Sequence, residues 1–357
     1  MQPEKIVIEA GAALVGERLE MLTEALVVIE GDRIAAIGVR DSVEVPEQAE
    51  RVDASGLLLM PGFIDAHVHI GFYEPAELVR NGVTTARDLA WPPHIIFELV
   101  KESMSVSFEG PTLIAAGPML TAPGGYPTRA AWAPDGTGLE VSGAREATAA
   151  VKNISSAGAA VIKIALSPGV GPVLDHITLQ AIVDAAHSEG LKVSGHIAGL
   201  EELEKALEAG VDELAHMLMS AERIPDQTFG RMVEAGVVIV PTLSVRFGRD
   251  RKIAIDNLAR FHELKGRVVY GTDLGNEGPG PGIDALEIRA MAEAGFTARE
   301  IVSSATVDAA KWLGLDTKGA LGPGADADLV AVPIGALDDP RGLSDAAMVW
   351  RLGRRFR

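Results

Sequence analysis

Apolar and polar positions change rhythm twice along the chain. Residues 5 to 58 carry short apolar runs, IVIEA, ALVVIE and RIAAIG, separated by turn formers such as Glu30-Gly31-Asp32, which is the pattern of a small β unit. From residue 59 to about 315, strand-like runs alternate with segments of helical spacing. The strand runs are LLLMPGFIDAHVHI, VTTARDL (83–89), PTLIAAG (111–117), AAVIKIAL (159–166), KVSGHI (192–197), ELAHM (213–217), VVIVPTL (237–243) and VVYGTDL (268–274). Between them, segments such as GLEELEKALEAG (199–210) set leucine and alanine at helical intervals before a closing glycine. Eight apolar strands, each followed by a helix, over about 257 residues predict an α/β fold of the (β/α)8 TIM-barrel type. The tail returns to β character in DADLVAVP (326–333) and AMVWRLGRRF (347–356). Neither flanking segment has enough strands to bury a core alone, so the two predict one discontinuous small β-sandwich domain, 1–58 plus 316–357, around a barrel of 59–315.

Composition narrows the partners. The chain has 357 residues with 32 Lys plus Arg against 50 Asp plus Glu, a formal charge of -18 that would repel phosphate backbones and anionic lipid. Nucleic acid and membrane are therefore not expected as partners; a small-molecule substrate is, and self-association into a homo-oligomer stays open. With no cysteine, thiolate sites and disulfides are excluded, and any metal must be held by imidazole, carboxylate or a modified side chain. The opening MQPEKIVIEAG has no basic region followed by a long apolar stretch, and no window approaches the roughly 20 apolar residues of a membrane span, so a cytoplasmic location is expected.

Candidate chemistry lies at the strand ends. His67 and His69 in PGFIDAHVHI (61–70) are two apart on a strand, so their rings share a face and can converge on one cation. From His69 to Lys163 is 94 residues, from there to His196 33, to His216 20 and to Asp273 57, which puts a candidate ligand at the ends of the first, fourth, fifth, sixth and eighth barrel strands. Side chains at those ends gather at one mouth. Each has a plain structural alternative, such as an ion pair for Lys163 or a helix cap for Asp273, but five on the right strands together favour a metal site. His176, His187 and His262 fall in helix patterns and read as solvated; His94 follows Trp91-Pro92-Pro93 and is ambiguous.

With those residues, the NGVTTARDL (81–89) that follows PGFIDAHVHI and the closing GALGPGADADLVAV (319–332), the chain resembles the amidohydrolase superfamily, in its branch of imidazolonepropionase-like and Xaa-Pro dipeptidase-like enzymes, over essentially its whole length. The resemblance implies a hydrolase of C–N bonds with a binuclear centre of two divalent ions, zinc expected: His67 and His69 on the first, His196 and His216 on the second, Lys163 carboxylated by carbon dioxide and bridging both, and Asp273 as ligand and proton acceptor. A lysine ammonium cannot ligate, whereas the carbamate of its neutral amine is an anionic oxygen donor. An esterase, lactonase or phosphotriesterase would use the same centre. A mononuclear deaminase is disfavoured, because an acid three residues after the fifth-strand histidine is replaced by Gly199, and a non-enzymatic scaffold would have lost ligands.

Long glycine-rich segments follow the third strand (121–138), the seventh (244–250) and the eighth (275–282), where loops shape the pocket. Where dipeptidase-like relatives carry a histidine after paired glycines, this chain has Tyr126. Tyr126, Arg129 and Arg246 are the expected substrate-binding residues, with Tyr126 also assisting catalysis at the carbonyl oxygen.

Overall fold

The structure, a computed structural model, describes residues 5–357. Residues 1–4 of the expected small domain lie outside the described residues. Strands β1 (Lys5–Val15), β2 (Glu20–Glu30), β3 (Arg33–Val39) and β4 (Glu50–Pro61) open the chain. The central part carries β5 (Phe63–Val68), β6 (Val83–Asp88), β7 (Thr112–Ala115), β8 (Met119–Thr121), β9 (Gly138–Glu140), β10 (Ile162–Leu166), β11 (Val193–Ile197), β12 (Glu213–Leu214), β13 (Val238–Ile239) and β14 (Arg267–Val268). The end of the chain adds β15 (Leu329–Pro333), β16 (Met348–Arg351) and β17 (Arg354–Arg355).

The two chain ends do pair, in one seven-stranded sheet of order β17-β16-β15-β4-β1-β2-β3. Strand alternation sends Ile6, Ile8 and Ala10 of β1 into one apolar cluster and Val7 into another on the opposite face. That second face is covered by Val43, Val45 and Ala49 from the segment between β3 and β4, so irregular chain lies where a sandwich would place further strands. β4 passes almost directly into β5 and ties the sheet to the site strand.

The central strands are parallel, in sheets of order β5-β6-β7 and β14-β13-β12-β11-β10-β8-β9. The expected third barrel strand (111–117) is realised as β7, and after a turn at Gly117, at φ 75°, the chain adds β8, which takes the place beside β10. Backbone hydrogen bonds cross both seams. On one side Ala160 N–H donates to Ala115 O (2.8 Å); on the other Ala66 N–H donates to Tyr270 O (3.0 Å) and His69 N–H to Leu274 O (2.7 Å). Gly271 permits the second contact, since a Cβ there would meet Val240 Cγ1 at 2.4 Å and His67 N at 3.0 Å.

The helices follow their sequence signals. Leu200–Ala209 buries Leu203 and Ala206, and ends on Gly210 in the left-handed region, as a terminal glycine allows. Burying a leucine of this kind contributes about 1.5–3 kcal/mol, which is what fixes the helix against the sheet. No helix among the described residues is long and apolar enough to cross a membrane.

Candidate metal centre

The two histidines of β5 and its end are oriented by carbonyls behind them. His67 Nδ1 lies 2.8 Å from Ala215 O and His69 Nδ1 3.3 Å from Ala90 O; a carbonyl only accepts, so each Nδ1 carries the proton. The Nε2 lone pairs therefore point forward. Both reach Asp273 Oδ1 at 3.2 Å, and that oxygen, buried, has no hydrogen-bond donor. His67, His69 and Asp273 offer ligand atoms all within 4.8 Å of one another. Acceptors facing acceptors in a buried site require a cation or proton between them.

Asp273 is held there by an unusual backbone. Its φ is 59°, in the left-handed region, and its N–H donates to His67 O (2.8 Å). Such strain persists where the surroundings over-determine it, commonly at functional sites. Thr242 repeats the observation at φ 46°, unfavourable for a β-branched residue, and its Oγ1 is 2.9 Å from His216 Nδ1, which is itself 3.6 Å from Asp273 Oδ2.

Lys163 and His196 complete the cluster. Both are buried, and together with His67, His69, His216 and Asp273 they line one cavity of about 120 Å³. Lys163 Nζ has no hydrogen-bond partner. Burial lowers its pKa to about 7, partly offset by Asp273 and Glu213, so the neutral amine is accessible near neutrality. Burial, reinforced by the Lys163 charge, lowers His196 to about 3; burial likewise holds His67 and His216 well below the ordinary imidazole range. His69 differs: burial opposes its protonation, but its contact with Asp273 and the charges of Asp273 and Asp88 raise its pKa on balance. The site thus presents neutral imidazoles and draws positive charge to the His69–Asp273 contact.

Around this centre the sequence reading is met unevenly. Tyr126 lines the cavity, stacked on His196 with ring centroids 4.9 Å apart, and burial pushes its hydroxyl up to about 12, so it stays protonated. Arg129 is exposed and does not line the cavity. Arg246 is buried, but its Nη1 donates to Met219 O (2.9 Å) and its Nη2 to Met217 O and Leu218 O (both 2.7 Å). Its fork therefore holds the chain after His216, and Arg246 does not line the cavity. His187 is partly exposed and pairs with Asp212 at 2.9 Å, while His262 departs from a solvated role by stacking on Phe296 at 3.9 Å.

Several site residues escaped sequence reasoning. Asp65 accepts from His67 N–H (3.0 Å) and Thr272 Oγ1–H (2.6 Å), joining the two ligand segments; its signal was legible, since it precedes His67 by two on the same strand face. Asp88 accepts from Ile70 N–H (2.8 Å) and Ala90 N–H (3.1 Å), setting the turn after His69. Trp132, in the loop expected to shape the pocket, lies 5.3 Å from the His69 ring and with Phe72 makes that wall aromatic. Beneath the centre, Arg87 Nη2 donates to Glu213 Oε1 (2.6 Å) and Nε donates to Ala66 O (2.7 Å), a buried pair that fixes β5.

The chain is similar to several known proteins. An uncharacterised protein of Mycobacterium tuberculosis is 27% identical over 89% of this chain and 90% of its own length. The ochratoxinase of Aspergillus niger is 25% identical over 98% of this chain and 86% of its own. The crystal structure of a Xaa-Pro dipeptidase with methionine bound in its active site superposes with a TM-score of 0.84 at 25% identity, covering 99% of each chain. The description of the Amidohydrolase family matches residues 58–354, the span that carries every residue of the cavity, and the chain belongs to that family of hydrolases acting on carbon–nitrogen bonds.

Proposed function

We propose that the protein is a binuclear metal-dependent hydrolase that cleaves an amide-type C–N bond in a small substrate lacking a carboxylate near the scissile bond. One observation carries the reading: His67 Nε2, His69 Nε2 and Asp273 Oδ1 converge with no donor among them, in the cavity where Lys163 Nζ is also unpartnered. This donor set fits divalent metal. His67, His69 and Asp273 would hold one ion, His196 and His216 the other, and Lys163, as its carbamate, would bridge them. Zinc is the expected metal for imidazole and carboxylate oxygen donors without thiolate. When bound, two such ions acidify a water and polarise a carbonyl.

The protein's own groups supply the remaining work. Asp273 accepts the nucleophile's proton on its carboxylate and returns it to the leaving nitrogen. The Tyr126 hydroxyl, kept protonated by burial, donates to the carbonyl oxygen as negative charge develops there. Phe72 and Trp132 exclude water and receive flat or apolar substrate groups. Lys163 is the one Lys or Arg among the described cavity residues, and carboxylation would remove its positive charge, so no basic side chain there anchors a substrate carboxylate. The same reading takes 59–315 as a (β/α)8 barrel, supported by the hydrogen bonds across both seams, and 1–58 with 316–357 as a small supporting domain.

Elemental analysis with a substrate screen tests the proposal. The expectation is about two ions per chain and faster turnover of uncharged N-acyl anilides and cyclic amides than of dipeptides or N-acyl amino acids. One ion with unmodified Lys163 would refute the binuclear centre. Preference for lactones would move the activity to ester hydrolysis, and preference for dipeptides would overturn the uncharged-substrate assignment.

A further inference from the structure

A second cavity lies at the other end of the same strands. It measures about 540 Å³ and is bounded by the starts of β13 and β14, by Lys192 just before β11, and by the helices Ala298–Ala305 and Val307–Leu313. Lys192 and His196 are four residues apart along one strand, so this cavity and the metal cluster are separated by about 13 Å at the usual rise of a strand. It lies outside the metal centre and shares no lining residue with it.

Its electrostatics oppose those of the molecule. In a chain of formal charge -18, Lys192, Lys265, Arg267 and Lys311 all line this cavity. None of the four has a carboxylate partner among the described residues: Arg267 donates Nη2–H to Gly236 O (3.1 Å), and Lys192 lies 4.7 Å from the Trp312 ring centroid. The two carboxylates present are already engaged. Glu300 accepts from Thr297 N–H and Oγ1–H (both 2.8 Å), and Asp308 accepts from Ser303 Oγ–H (2.6 Å). Beneath the charged rim the wall is apolar, with buried Val238, Val268, Val269 and Phe296.

The backbone adds an independent sign. Lys265 follows the helix Gly248–Glu263 at φ 62°, a left-handed position where glycine is the ordinary residue. A lysine there costs roughly 1 kcal/mol relative to glycine, which is retained only if the side chain is wanted or the surroundings impose it.

We propose that this cavity is a second binding site, for a small organic anion whose phosphate or carboxylate meets the basic rim while its apolar body rests on the valine and phenylalanine floor. The volume suits such a ligand, because small-molecule sites occupy about 300–1,000 Å³ and combine an apolar lining with a few placed polar groups. The four cations supply the charge, and their lack of carboxylate partners means that binding need break no ion pair. A hydrogen-bond path also leaves the cavity: Trp312 Nε1–H donates to Glu213, which accepts from Arg87.

Titration calorimetry on the full-length metal-loaded protein tests the assignment with three probes: adenosine 5′-monophosphate as an aromatic phosphate, indole-3-acetate as an aromatic carboxylate, and inorganic phosphate as an anion without an apolar body. At least one aromatic anion should bind saturably and more tightly than inorganic phosphate. Lys311→Glu, on the exposed rim, and Lys192→Gln should each weaken that binding by about tenfold, whereas Asp273→Asn should leave it intact. No saturable binding of either aromatic anion up to about 1 mM, unchanged affinity in both lysine variants, equal affinity for inorganic phosphate, or loss of binding in Asp273→Asn would each overturn the proposal.

Discussion

The two ends of the central strands have opposite chemistry on shared elements. At the mouth, β5, β10 and β11 present buried His67, Lys163 and His196 in a cavity of about 120 Å³, where burial keeps basic groups neutral and their lone pairs available. At the far end, the chain entering β11, β13 and β14 borders a cavity of about 540 Å³ rimmed by charged Lys192 and Arg267. The difference shows that depth, more than residue type, decides what a basic side chain does. Lys163, fully enclosed, is drawn toward a neutral nucleophilic amine; Lys192 and Lys311, partly in water, stand open to an approaching anion.

The largest effects should come from breaking the mouth alone. Asp273→Asn keeps an oxygen donor but removes the anionic base, and turnover should fall by roughly 10²- to 10⁴-fold with metal content measured in parallel and largely retained. Lys163→Ala should cost on the order of 10²- to 10³-fold, from the several kcal/mol that a two-ion site contributes, with partial recovery on adding short carboxylic acids in place of the carbamate. Wild-type turnover in either variant would remove that residue from the mechanism and erase the contrast between a neutral Lys163 and its cationic counterparts.

That contrast was partly legible in the sequence. The six candidate ligands were readable because chemistry-bearing residues recurred at strand ends with βα spacing, and the structure brings all six to one cavity. Arg129 and Arg246 do not line the cavity for a physical reason: a loop position does not say where a long flexible side chain points, and three carbonyls accept from the Arg246 fork. Thr242 was invisible, since its role depends on a left-handed backbone that its sequence disfavours. The far cavity was equally hidden. Lys192, Lys265, Arg267 and Lys311 are spread over 120 positions and assemble only when the strands and the last two helices pack. The additional strand β8 has the same origin, in a turn at Gly117 after which the chain runs beside β10.

A smaller effect would sharpen the account of the mouth. Tyr126→Phe removes the hydroxyl but preserves the stacking on His196, so it should lower kcat by about tenfold, at the low end of what an oxyanion donor contributes, while metal content and KM change little. A pure rise in KM would instead assign Tyr126 to ground-state binding. Unchanged kinetics would leave the cavity wall without a catalytic part.

The smallest effect concerns stability and comes from a carboxyl buried behind the mouth. Glu287, in the helix Ala285–Glu293, accepts from Ser244 N–H through Oε2 (2.7 Å), while Oε1 is buried without a partner. Burial raises its pKa from 4.5 to about 8, against the lowering effect of the Leu243 and Ser244 backbone bonds and with a further rise from Asp284. The folded state therefore binds the proton more tightly than the unfolded chain does. Its contribution to stability is fully present below pH 4.5, declines as pH rises toward about 8, and is lost beyond it. Glu287→Gln keeps the acceptor for Ser244 N–H and cannot ionise. Its Tm should match wild type near pH 4.5 and exceed it by roughly 2 °C or more at pH 8.5, measured as the difference between the two proteins so that metal-ligand titrations cancel. A difference that shrinks with rising pH would show that Glu287 is ionised and stabilising, as a carboxylate paired with buried donors would be.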